Sequence, residues 1–525
     1  MQKLQLTIPA QDRTGAAIRI KPRDVREWLE NLPYLDLQRA AGIASQQLRI
    51  MNRQPMTVTA RIEILGDFLN AWQRLGVSRP TRANGNDNTG ALLKRLCQDI
   101  CFGYKIVVND LVNRKAGFIE IRQLPLALLG AIYTLGLQLT HYYSHYQRAP
   151  RALWSECLAL FRFAVEHDHA DYHRELPGVG NLQLDECFRM TALLRQSDPY
   201  RLPTGMVAAL NHYFRHHLAL SSIDVDQDGA NGLSGYPLLE TWRPSDSLQD
   251  AALVLRVDEL VQQLAGDIDK LEQLGQTQAV GLPSNIPAST LLHTFRQLHA
   301  LWEAKPDRKN DREDAHTRIE LVNGLDSVYC MINKGRCFDP SLFVNPGAQD
   351  IIDIGKRAAP ETGANPLMPA FNCASLNRGN GGVAISYCGD QKPYPKIGQL
   401  VALRRPTNAD IRRGGWVLAA CRWLVEADSG NGFEMGLQYL SRDPQPVVIR
   451  LPDETGLGGG DYQPAITAIQ KRGTERILTV IVRSDQLREN RGFTLHDRRG
   501  PHAARCAEQL ETEPGYQRFV YTLSD

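Results

Sequence analysis

The hydrophobic period of the chain changes near Pro306, and that change constrains the fold more than any other feature. Ahead of it, apolar residues recur at three- and four-residue steps, as in Leu92, Leu96, Ile100, Tyr104 and the Val107–Val108 pair. That spacing gathers them on one face of a helix. Helical patterns cover about 36–53, 57–75, 90–113, 119–147, 151–168, 182–197 and 204–219. Another begins at Pro22, a residue suited to a first helical turn. Beyond Pro306 the runs are short, alternating and β-branched, with Gly, Pro and Asn between them. They fall at 317–323, 381–387, 399–405, 415–425, 432–439, 446–451, 462–469, 476–483 and 517–523. Many short strands at close spacing predict a barrel or sandwich.

The expected fold class is therefore multidomain, α followed by all-β. Residues 1–220 read as a helical bundle or array, and 221–304 as a linker with connector helices. Residues 305–452 read as a β-barrel, and 453–525 as a C-terminal β extension. The boundary at 221–247 is marked by its wealth of Gly, Ser, Asp and Pro.

Several function classes are disfavoured. With 60 Lys+Arg against 58 Asp+Glu, the chain lacks the basic excess that grips a nucleic acid polymer or an anionic membrane. The longest apolar run, Leu124 to Leu137, falls short of the roughly 20 residues of a membrane span. No secretory signal pattern opens the chain, so a cytoplasmic protein without a membrane span is expected. The 10 cysteines include no CxxC pair and read as buried thiols rather than a zinc site.

No catalytic constellation stands out either. In His167-Asp-His169-Ala-Asp171-Tyr-His173, residues two apart point away from each other on a helix, so packing at a helix end is preferred to metal binding. Gly456-Leu-Gly-Gly-Gly460 has no Lys-Ser/Thr after it, as a phosphate loop requires. There is no GxSxG elbow. A non-enzyme with no metal and no cofactor is the expectation.

One arrangement points to a ligand. Arg308 and Arg312 stand four apart just before the first expected strand, and Asn377-Arg-Gly-Asn-Gly-Gly382 forms a turn between two others. A guanidinium stays charged, pairs bidentately with phosphate or a guanine edge, and stacks on a base. An Asn followed by glycines lets backbone N–H groups approach a ligand. The spacing alone is weak, since Arg472 and Arg476 repeat it without a partner turn. The order of the parts carries the weight.

That order resembles the PilZ family, small β-barrels that bind cyclic di-GMP, here of a long, multi-domain kind. The family pattern is Arg-x-x-x-Arg before the first strand and Asp/Asn-x-Ser-x-x-Gly between later strands. Arg308 and Arg312 match the first part, Asn377 and Gly382 the ends of the second. Gly415-Trp416 through Trp423 and Phe433-Glu434-Met-Gly436 look like closing strands of such a barrel, with odd spacing placing the two tryptophans on opposite faces of a strand. Two departures are visible. Gly379 occupies the serine position, and 64 residues lie between Arg312 and Asn377, so that 326–370 reads as an insertion.

The resemblance implies a receptor in which Arg308 and Arg312 grip phosphate and guanine while Asn377 and Gly382 shape the pocket floor. It further implies a protein partner engaged by the N-terminal helices, with outputs in type IV pilus function, motility or surface attachment. The alternative is a degenerate PilZ-like scaffold that works through protein contacts without nucleotide, which Gly379 favours.

Overall fold

The structure is a computed structural model and describes residues 4–12, 21–77, 88–113, 118–225, 235–238, 253–303, 313–314, 316–339, 370–391, 394–405, 415–427, 431–452, 459–472, 475–484, 486–497 and 499–524. Two compact units emerge. The first comprises Met1–His145, Ala149–Pro199 and Leu210–Gln263; the second comprises Tyr146–Arg148, Tyr200–Ala209 and Leu264–Asp525.

The first unit is mainly helical. Its elements begin with α1 (Pro22–Glu30), α2 (Leu37–Arg53), α3 (Val58–Val77), α4 (Asn88–Asn113) and α5 (Phe118–Ile121). They continue through α6 (Leu124–Ser144), α7 (Arg151–Glu166), α8 (Leu184–Gln196), the part of α9 (Met206–His216) from Leu210 on, and the first turns of α10 (Asp258–Leu274). On α2 the buried residues Ala40, Ala41, Ala44, Leu48 and Met51 repeat with the helical period, and Asp36 caps the first turn by accepting from the Arg39 N–H. The pattern expected as one helix over 119–147 is split into α5 and α6, because Pro125 fits only the first turn of a helix.

By length and composition α6 is apolar enough to cross a membrane. This exceeds the expectation from the apolar run alone, which stopped at Leu137. Its burial is that of a core helix: Ala127, Leu128, Ile132 and Leu135 are fully enclosed, and it packs on α4, α7 and α8. At Gly130 a Cβ would stand 2.5 Å from the Tyr104 ring, so glycine sets how closely α6 approaches α4. The buried Lys105 ammonium donates to Glu156 at 2.7 Å, and the Thr7 N–H donates to the other Glu156 oxygen at 2.8 Å, pinning the N-terminal segment.

Short strands interrupt the helices where none were expected. β1 (His173–Leu176) and β2 (Gly180–Gln183) form a hairpin. β3 (Ser222–Val225), β4 (Tyr236–Pro237) and β5 (Leu253–Arg256) form a sheet in the order β3-β5-β4. The region read as a linker thus contributes pairing partners that lie too far apart in sequence for local patterning to reveal.

In the second unit α11 (Ala288–Glu303) precedes two barrels. The first is built from β6 (Glu313–Asp314), β7 (Arg318–Asn323), then α12 (Leu325–Ile332), β8 (Phe371–Gly379), β9 (Gly382–Cys388), β10 (Leu400–Arg404), β11 (Val417–Glu426) and β12 (Gly432–Ser441). The strand order is β6-β8-β7-β10-β11-β12-β9, and the pairing of β8 with β9 closes it. Ile319, Leu321, Phe371, Cys373, Ile385, Val401, Ala419, Phe433 and Met435 fill the interior.

The second barrel is also closed. β13 (Gln445–Pro452), β14 (Gly459–Arg472), β15 (Glu475–Val482), β16 (Gly492–Asp497), β17 (Gly500–Glu513) and β18 (Tyr516–Leu523) run in the order β13-β14-β15-β18-β17-β16. It closes where Ile449 of β13 pairs with Leu495 of β16. Sequence predicted only an extension after 452, yet the run before it, β13, belongs to this second barrel.

A shared apolar seam joins the barrels. Trp416, Leu418, Ala420 and Leu440 of the first pack with Ile466, Ile481 and Tyr516 of the second. Beside the seam, the Arg422 guanidinium donates to both Glu511 and Glu513 and to Gln438 Oε1 at 2.7 Å. Arg422 is the extra residue of a β-bulge between Cys421 and Trp423. The bulge resets the alternation, so Trp416 and Trp423 lie on the same outer face rather than on opposite faces. Trp423 crosses Gly436, where a Cβ would collide with its indole. Cys330 and Cys337 are joined by a disulfide, which corrects the reading of all cysteines as free thiols.

Candidate ligand-binding site

The strands of the first barrel run antiparallel, so one end collects the start of β7, the end of β8, the start of β9, the end of β10, the start of β11 and the end of β12. A cavity of about 300 Å³ opens there. Its inner wall is apolar, formed by Ile319, Val383, Leu403 and Val417, with Tyr439 on one side. Thr317 and Ser375 supply hydroxyls, and Arg378 and Arg405 stand at the rim.

Two expected site residues belong to this end. Asn377 is on β8 and Gly382 begins β9, across the two-residue loop Asn380–Gly381 from Gly379. They do different things. A β-bulge at Leu376 separates the pair Ser375–Ile385 from the pair Asn377–Ala384. Upstream, Phe371 and Cys373 face the core; unbroken alternation would send Asn377 inward as well. The bulge instead turns Asn377 outward and Arg378 inward, beside its partner Val383. Gly382 is pressed against β12, where a Cβ would stand 2.2 Å from the Leu437 carbonyl oxygen. Its absence of a side chain serves barrel closure, and Val383 forms the cavity wall.

Arg308 and Arg312 lie outside the described residues. The chain becomes described at Glu313, one peptide bond after Arg312, and at that point it is already paired with β8. Glu313 pairs with Arg378, and Asp314 with Asn377. Next along the chain, the Ser375 hydroxyl accepts from the Thr317 N–H at 2.8 Å and lies 3.0 Å from the Thr317 hydroxyl. This half-buried staple fixes where β7 enters the barrel. The chain from Glu313 onward therefore joins the barrel at the cavity end.

Of the rim arginines, Arg404 is committed elsewhere. It faces outward, donates to Glu320 at 2.6 Å and lies 4.5 Å from the centre of the Trp416 ring. Arg405, one residue on, returns to the inward parity of Leu403. Neither the Arg378 nor the Arg405 side chain has an ion-pair or hydrogen-bond partner among the described residues. Sequence reasoning missed Arg378, Arg405 and Tyr439. Arg378 was inside the turn already singled out, but only the bulge at Leu376 sends it inward.

Within the histidine segment, His167 packs against the end of α7. His167 Nδ1 lies 2.9 Å from the Phe163 carbonyl oxygen, and its ring stacks on Phe163 at 4.0 Å. Among the described residues no group of three His, Cys, Asp or Glu is placed to hold a metal ion.

Comparison with known proteins adds a separate line of observation. A family model described as the cyclic-di-GMP receptor FimW, N-terminal domain, matches residues 23–227. The chain is also 21% identical over 534 residues to the cyclic-di-GMP receptor FimW of Pseudomonas aeruginosa, covering 86% of this chain and 83% of that protein. Both matches are to a receptor, which points to a non-enzymatic protein.

Proposed function

We propose that the protein is a non-enzymatic receptor for cyclic di-GMP and that its first barrel is a PilZ-like module. The observation that carries this reading is the pairing of Glu313 with Arg378 and Asp314 with Asn377, which brings the chain that directly follows Arg312 to the Asn377–Gly382 hairpin. The similarity to a cyclic-di-GMP receptor over most of the chain supports it. Arg308 and Arg312 grip the phosphates and guanine, and Asn377 presents its amide on the outer face of the same hairpin. Binding draws the arm onto the barrel and shifts the population of arm positions. The helical unit then presents its surface to a protein partner, in control of type IV pili, motility or attachment.

Isothermal titration with cyclic di-GMP tests this. Micromolar or tighter binding that is abolished in Arg308→Ala/Arg312→Ala is the expected result. Silence in the wild-type protein sinks it and favours the second reading, a scaffold without nucleotide. Gly379 in the serine position is the observation on that side.

A further inference from the structure

We propose that the cavity at the end of the first barrel receives one purine base of the nucleotide, with Arg378 and Arg405 holding its phosphate at the rim. This rests on the receptor reading and adds to it a pocket distinct from the arginine arm. The volume of about 300 Å³ is roughly ten times the ~30 Å³ share of one liquid water. That is room for a bicyclic base, and too little for a whole cyclic dinucleotide.

The lining chemistry suits an aromatic anion. Ile319, Val383, Leu403 and Val417 offer the apolar wall that a base face needs, and Tyr439 offers a ring for stacking. Thr317 and Ser375 lie in the same wall, their hydroxyls held 3.0 Å apart by the staple described above. At the rim, Arg378 and Arg405 are two guanidiniums with no partner among the described residues. A free guanidinium beside an apolar hollow is a fork for phosphate oxygens. Glu313 stands opposite Arg378 in the strand register, yet forms no ion pair with it, so Arg378 remains available. Arg404 takes no part, being bonded to Glu320.

The test is titration of the full-length protein with cyclic di-GMP in four variants, each checked by its melting curve. Arg378→Ala and Arg405→Ala are each expected to weaken binding by about tenfold or more, the loss typical of one charge-assisted contact. Val417→Phe narrows the cavity and is expected to weaken binding by about the same factor. Arg476→Ala removes an equal charge from an exposed position on the second barrel and is expected to bind as wild type does. If the wild-type protein does not bind, the receptor reading and this inference fall together. If it binds and the Arg378 and Arg405 variants bind equally well, only this inference falls. Equal weakening by Arg476→Ala also overturns it, because bulk charge would then be the cause. Unchanged affinity in a folded Val417→Phe variant overturns entry of the base.

Discussion

Asn377 and Arg378, neighbours in the chain, face opposite sides of the barrel wall, because the bulge at Leu376 resets the alternation of β8. One strand therefore serves both the outer surface and the inner cavity. A single extra residue splits the hairpin's side chains between the two faces.

At Gly382 the requirement is steric. A methyl group there would lie 2.2 Å from the Leu437 carbonyl oxygen, a backbone atom that moves only with β12. Gly382→Ala is expected to cost about 1–3 kcal/mol or more of stability, as overpacking does, measured by urea denaturation. Unchanged stability with lost ligand binding would instead assign the glycine to the ligand.

Gly379 occupies the position at which the resembling family carries serine. Gly379→Ser is expected to tighten cyclic di-GMP binding by about three- to tenfold, the gain from one hydrogen bond. Titration of this variant beside the wild-type protein measures it. No change would mean that the hairpin's backbone does not present this position to the ligand.

How much of this was legible in the sequence follows from the range of the interactions involved. The helical stripe of Leu92, Leu96, Ile100 and Tyr104 is local, and α4 follows it. The β-texture after Pro306 is local too, and nine barrel strands fall close to the expected runs, whereas β6, β8, β16 and β17 answer to none of them. Closure of β13 on β16 was not legible, since it joins Ile449 to Leu495 across the intervening hairpin. The bulges at Leu376 and Arg422 were equally hidden. Each breaks a period-two count, so counting assigned Trp416 and Trp423 to opposite faces and gave no reason to turn Arg378 inward.

Between the barrels, pH dependence arises from two groups of opposite habit. Burial beside Glu511 raises the Glu513 carboxyl to about 7 despite Arg422, above its ordinary 4.5. Its share of stability is therefore full below about 4.5 and lost as pH rises through about 7. His293 lies 3.2 Å from Glu513, and burial and Arg422 depress it to about 4 from 6.5. Its share is full above about 6.5 and lost as pH falls through about 4. The two oppose each other between pH 4.5 and 6.5, where the wild-type melting temperature is expected to vary little. Glu513→Gln should remove the decline toward neutral pH and leave a rise from about 4 to 6.5. Melting curves across that range check this, and identical profiles for the two proteins would refute it.

In the helical unit, Lys105 and Glu156 form an ion pair in which both side chains are buried. Lys105→Met leaves the carboxylate buried without its cation and is expected to cost about 3–5 kcal/mol. Lys105→Met/Glu156→Leu should recover more than half of that loss, although the Thr7 N–H is then left without its acceptor. Urea denaturation of the two variants provides the comparison. A double variant as unstable as the single one would show that the pair's geometry, not the isolated charge, matters.

The apolar seam of Trp416, Leu418 and Ala420 with Ile466, Ile481 and Tyr516 gives the tandem a common wall. Severing the chain after Ser441 would wet one side of that wall, so neither half is a free-standing cassette. Gene fusions that transplant the first barrel alone should yield insoluble product, and the smallest portable piece is the tandem as a whole.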